Sequence, residues 1–191
     1  STIPVASFVQ TLSGFDEGDL KSRVEKLKIR SMLLVTFEFD QPKTLPYRTL
    51  IFPEKEIFFN RLFEQNEYSR ETVQPGKSVI VADITLPRGD ARMSVPDEDI
   101  IKQVRIDLAK LGYIRVDKIT KASVKRVEFA YVVPDSETRQ QLYEINHILK
   151  KISNLQIMGR FAAGEYDNSD YAIDNGLTLG AMISGRISKM E

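Results

Sequence analysis

The sequence has no cysteine and a single histidine, His147, in 191 residues. Disulfides and thiolate metal sites are thereby excluded, and few transition-metal ligands remain beyond carboxylates. No run of apolar residues approaches the roughly 20 needed to span a bilayer. The first residues lack the basic and apolar layout of a signal peptide, so a cytoplasmic protein is the expectation. Net charge is missing too, with Lys plus Arg and Asp plus Glu at 27 each. No overall field draws the chain to nucleic acid or to an anionic membrane. The self-contained signatures GxGxxG, GxxxxGKS/T and GxSxG are absent. No pair of carboxylates stands out as an acid/base couple, so the catalytic residues stay unassigned and no metal site is expected.

What is present is the composition of an ordinary globular domain, with 42% hydrophobic and 28% charged residues, at a length able to bury a core. The chain opens on STIPVASFVQ, which reads as a strand entered part-way, as in a piece of something longer. Leu20, Val24 and Leu27 at helical spacing predict a short amphipathic helix whose basic residues form a solvated face. Residues 32–40 alternate, with Leu33, Val35, Phe37 and Phe39 on one side, as in a half-buried strand. Strands over 48–52 and 56–63 follow, divided by Pro53 and Glu54. In the second, Ile57, Phe59, Arg61 and Phe63 share a face by the two-residue period. An arginine among aromatics needs a carboxylate, a phosphate or a stacking partner. Otherwise Arg61 reaches water or pairs with Glu64 or Glu67.

Residues 78–86, rich in Val and Ile, predict a strand. Ser94 or Asp97 then caps a helix with Ile100, Ile101, Val104, Leu108 and Leu111 on one face and Gly112 as its stop. Strands over 115–119 and 124–133 lead to a helix capped by Asp135 or Ser136, with Leu142, Ile145, Leu149 and Ile152 inward and His147 outward. The element order predicts an α+β fold, a mixed and mainly antiparallel sheet with helices packed on one side.

A short strand over 155–158 delivers the chain to GRFAAGEYDNSDYAIDNG, residues 159–176, where residue choice looks chemical. Arg160 follows a glycine, then come Tyr166 and Asn168, Ser169 and Asp170 at the opening of a helix. A helix start leaves N–H groups unpaired and carries partial positive charge, which makes it a cradle for an anion or an electron-rich cofactor. Behind it Ala172, Gly176, Gly180, Ala181, Ser184 and Gly185 recur about every fourth position, spacing that lets another backbone or a ligand pass close by.

This stretch resembles the C-terminal FAD-contacting motif of the flavin-dependent amine oxidase, protoporphyrinogen oxidase and UDP-galactopyranose mutase superfamily. The segments STIP, IFFNRLFEQNEYS and PDEDIIKQVRIDLAKLGYI are similar to family segments upstream, so the likeness extends over the chain. The resemblance implies a substrate-binding α+β domain over 1–157. It also implies an FAD-contacting segment over 158–191, whose helix docks on a dinucleotide-binding domain that these residues do not contain. Gly159, Arg160, Asn168, Ser169 and Asp170 would contact FAD, the backbone of Ser169 and Asp170 at the flavin pyrimidine end. Arg61 and Tyr166 would serve the substrate. Two positions depart from the motif: Gly164 stands where the mutases have a tyrosine, and Ser169 where methionine is usual.

The implied function is the C-terminal half of an FAD-dependent amine-oxidase-like oxidoreductase. Its partners would be its own N-terminal dinucleotide-binding half, or an equivalent chain, and a small-molecule substrate, with no nucleic acid and no membrane span. Alone, the chain should bind FAD weakly at best and be inactive. A UDP-galactopyranose mutase-like isomerase is the alternative, motivated by Arg61 and Arg160. A non-catalytic binding domain or subunit of the same fold is a third.

Overall fold

Alternating side chains make the first long strand, and the helices follow the apolar spacing of 3.6. In a computed structural model describing residues 1–13, 17–164 and 167–187, the helices are α1 (Val5–Thr11), α2 (Glu17–Glu25), α3 (Asp97–Lys110), α4 (Ser136–Leu149) and α5 (Ser169–Ile187). The strands are β1 (Ile29–Phe39), β2 (Thr49–Ile51), β3 (Arg61–Glu64), β4 (Ser78–Pro87) and β5 (Ile119–Val132). They form one antiparallel sheet in the order β2-β3-β4-β1-β5, so the α+β expectation holds. The chain divides into two units, Arg30–Ala130 and Ser1–Ile29 with Tyr131–Glu191.

In the first unit one sheet face is the core. Leu33, Val35, Phe37 and Phe39 from β1 lie with Ile80, Ala82, Ile84 and Leu86 from β4 and Leu62 from β3, all buried. Helix α3 covers this face with Ile100, Val104 and Leu108. Two buried carboxylates tie loops to it. Glu64 accepts from the backbone N–H of Thr44 at 3.0 Å and Leu45 at 2.6 Å, and from Asn66 Nδ2 at 3.2 Å. Asp107 accepts from Phe58 N–H at 3.0 Å and from Lys110 Nζ at 2.6 Å. Arg126 on β5 donates to the carbonyls of Met93 and Val95 and pairs with Asp97, holding the approach to α3.

Several expectations are corrected here. Residues 56–63 are a strand only over Arg61–Glu64. Phe59 turns into the core edge-on to Phe52 at 5.1 Å, so it and Ile57 do not share the face of Arg61 and Phe63. Asp107 is the reason, because its bond to Phe58 pulls the preceding loop onto α3. The two strands over 115–119 and 124–133 are one, β5, preceded by a 3-10 turn at Val116–Lys118. Helix α3 begins after Pro96 without a side-chain cap, Asp97 lies inside it, and Ser94 ends a separate 3-10 turn. The Pro96 carbonyl accepts the first bonds of the helix, from the N–H groups of Asp99 at 3.1 Å and Ile100 at 3.2 Å.

In the second unit the opening is helical, not a strand. Val5, Ala6 and Val9 are buried together at helical spacing, and α1 follows Pro4 directly. Helix α1 packs on α2 and α2 on α4, burying Leu20, Val24, Leu142 and Ile145. Residues 155–158 are not a strand either: Leu155 N–H turns back to the Ile152 carbonyl at 3.1 Å, and the opening of the chain is met by Met158 N–H on Ser1 O at 3.1 Å and by the Ser1 amine on the Gln156 carbonyl. One bonded pair does not make a ladder.

Asp135 caps α4 as expected, accepting from Thr138 N–H at 2.8 Å, and pairs with Lys28 at 2.9 Å. These two contacts, the backbone bond first, lower its pKa to about 2. A carboxylate depressed from an unfolded value of about 3.9 stabilises the fold above that value and loses this as pH falls through the folded one. Stability should therefore decline between about pH 4 and about pH 2. The decline of the denaturant midpoint in that window should be shallower in Asp135→Asn, with a remainder from Asp90, which Arg92 also holds at about 2.

Candidate functional site

The 159–170 stretch forms a loop that feeds α5. Gly159 has φ +83, a conformation that needs glycine, and nothing lies within 4 Å of where its Cβ would stand. The Ala163 N–H closes a turn on the Gly159 carbonyl at 2.9 Å. Arg160 folds back inside this unit: its guanidinium carbon is 5.7 Å from the Tyr131 ring centroid, and Nη1 donates to the Asp167 carbonyl at 3.5 Å.

Helix α5 then starts where the sequence places it. The Asn168 carbonyl accepts from Ala172 N–H at 3.1 Å, which makes Asn168 the cap and leaves the N–H groups of Ser169, Asp170 and Tyr171 ahead of the first intrahelical bond. Asn168, Ser169 and Asp170 are exposed. Beside them, Asp167 Oδ2 is buried with no hydrogen-bond partner among the described residues. Gly159, Arg160, Asn168, Ser169 and Asp170 thus belong to one loop and helix start. Tyr166 lies outside the described residues.

Gly164 has its own structural reason. Its φ is +72, and a Cβ there would meet Leu142 Cδ1 at 2.5 Å and Cδ2 at 2.8 Å. The loop lies directly on α4 at this point.

Arg61 sits in the other unit, on the sheet face opposite the core. It shares that face with Phe63, and the β3–β4 and β1–β4 registers add Val81, Asp83, Leu34 and Thr36. Neither Glu64 nor Glu67 is its partner. Nε and Nη2 of Arg61 both donate to Oδ2 of Asp83, directly across the register, and the guanidinium also lies over the Phe63 ring at 5.5 Å. The Asp83 side chain is 4% exposed and that of Arg61 48%. Burial pushes the Asp83 pKa up, and Arg61 only partly offsets it. Phe63 continues edge-on to Tyr68 at 5.9 Å, and Arg48 lies over Tyr68 at 4.9 Å. A signal for Asp83 existed in the sequence: one carboxylate in the apolar run 79–84 must find a cation or a donor.

No family model and no curated protein matches the chain. Solved structures do. Reduced UDP-galactopyranose mutase superposes with a TM-score of 0.72 at 17% identity, over 84% of this chain and 35% of that one. A protein named as a protoporphyrinogen oxidase from Exiguobacterium sp. 255-15 gives 0.62 at 19% identity, over 80% of this chain and 33% of that one. The fold is shared with both. The chain spans about a third of the length of these structures. No helix among the described residues is long and apolar enough to cross a membrane, and no cluster among them could hold a metal ion.

Proposed function

We propose that the chain is the substrate side of an FAD-dependent, amine-oxidase-like oxidoreductase, completed by a dinucleotide-binding half. The observation that carries this is α5. Its 19 residues leave Tyr171, Ile173, Leu177, Met182 and Ile183 exposed, Leu177 by 69%. A helix so apolar and so little covered fits a partner surface. Gly180 and Gly185, with nothing among the described residues within 4 Å of their Cβ positions, leave room for that partner's backbone. The shared fold with structures of which this chain covers only about a third supports the same reading.

The residues at the start of α5 fit a flavin. The N–H groups of Ser169 and Asp170, ahead of the first intrahelical bond, and the partial positive charge of the helix start suit a ring that gains negative charge on reduction. Gly159, open at its Cβ position, lets a ligand approach the backbone, and Arg160 brings charge beside it. When bound, the flavin supplies hydride acceptance. The chain's own residues bind and orient it and shape the substrate face. On this reading residues 158–191 are the cofactor segment and 1–157 the substrate domain.

The complete polypeptide is expected to purify yellow with stoichiometric FAD, and the 191-residue chain colourless. A colourless complete polypeptide that does not take up FAD would overturn the reading. In that polypeptide Arg160→Ala should lower flavin content more than melting temperature. The reverse result would make Arg160 a structural residue, holding Tyr131 and the Asp167 carbonyl.

Arg61, half exposed on the sheet face opposite the core, favours a second reading, a nucleotide-sugar mutase. UDP should then raise the melting temperature of the FAD-loaded protein, and no shift would count against it.

A further inference from the structure

The Arg61–Asp83 pair sits on a sheet face that gains nothing obvious from it. Asp83 lies between Arg61 on β3 and Leu34 on β1, with Val81 two residues away on the same face. A carboxylate placed there loses its hydration, and an aliphatic side chain of similar size would fill the position without that loss. Asp83 is not fully satisfied even so, because Oδ1 is buried without a hydrogen-bond partner among the described residues. What the arrangement does achieve is a guanidinium fixed in two directions. Oδ2 takes Nε and Nη2 along one edge, and the Phe63 ring lies against the planar face. The remaining edge carries Nη1, which has no partner among the described residues, on a side chain 48% exposed.

We propose that Asp83 is a positioning residue, whose buried carboxylate holds Arg61 so that its free Nη1 edge receives an oxyanion group of the ligand bound on this sheet face. The inference rests on reading Arg61 as a substrate-side residue. An unheld arginine spends side-chain entropy on every ligand it captures; one already fixed at an edge and a face does not. The neighbouring Tyr68 and Arg48 extend the same surface with a second aromatic and a second cation.

Electrostatics alone makes the opposite prediction, which gives the test its sign. Asp83 is an anion near an incoming anion, so by Coulomb attraction and repulsion its removal should tighten anion binding. If Asp83 acts by positioning, its removal weakens it. The probe is inorganic pyrophosphate, titrated without flavin into the 191-residue chain and followed by the NMR signals of the Arg61 side chain. In the unaltered chain the Arg61 Nε–H signal should be sharp and should shift on titration. In Asp83→Leu it should broaden, and pyrophosphate should bind about tenfold more weakly, with thermal stability kept.

With binding read by titration calorimetry, Arg61→Lys should weaken pyrophosphate binding by a similar factor, and adding it to Asp83→Leu should cause little further loss. Equal or tighter binding by Asp83→Leu overturns the positioning role while leaving Arg61 as a ligand group. Arg61 signals that ignore pyrophosphate overturn both. Should Asp83→Leu not fold, Asp83→Ala, which also removes the acceptor, carries the same comparison. Because no flavin is present, none of these outcomes depends on the FAD site at α5.

Discussion

Glu64→Ala should destabilise the Arg30–Ala130 unit by about 3 kcal/mol or more. The carboxylate is wholly buried and serves three donors, two of them backbone N–H groups of consecutive residues, Thr44 and Leu45. Bonds to a charged acceptor contribute about 1.5–3 kcal/mol each, and donors stranded by its removal stay desolvated. Glu64→Gln keeps one oxygen and the side-chain volume, so about half of the loss should return. The measurement is the denaturant midpoint at unchanged slope. Hydrogen exchange at Thr44 and Leu45 should accelerate before the core opens, because the loop is released first. A loss below about 1 kcal/mol would show that water replaces the carboxylate without penalty. The loop matters to the candidate site because it leads into β2, where Thr49 bonds the Tyr68 hydroxyl at 2.9 Å beside the Arg61 face.

Gly164→Tyr should destabilise the second unit by about 3 kcal/mol. Two causes add. Any side chain at φ +72 is strained, and a Cβ there falls within 2.5 Å of Leu142 Cδ1, a residue already buried on α4. Gly164→Ala isolates these two causes and should retain most of the effect. Leu142→Ala opens the space, so the double variant Gly164→Ala with Leu142→Ala should lose less than the two single losses combined. Strict additivity in thermal or chemical unfolding would mean that the contact with Leu142 is not the cause. Glycine at 164 is therefore a packing requirement of this chain, met at the loop that leads to α5.

The long periodic elements were legible in the sequence. The alternation of 32–40, the Val and Ile run of 78–86, the Asp135 cap and the apolar stripe of α4 each describe burial of one face, and local pattern carries that information. So did the opening of α5, because the Asn168, Ser169, Asp170 order is helix-start chemistry whatever surrounds it. Failures came where a distant residue overrode a short pattern. Phe59 fits the period of Arg61 and Phe63, yet Asp107, 49 positions after Phe58, draws that loop to α3. Val5, Ala6 and Val9 are equally compatible with a strand or a helix over so few residues, and packing against α2 settles the matter.

By itself, then, the sequence determined the class of fold, the place of the C-terminal helix start and the classes of chemistry that lack residues here, since these follow from periodicity, capping and composition. Only the tertiary structure decided which charges meet. Arg61 finds Asp83 rather than Glu64 or Glu67 because antiparallel register sets β3 against β4, and Glu64, pointing to the other face, serves the 44–45 backbone. Register is a property of two strands together, and neither strand's own pattern contains it.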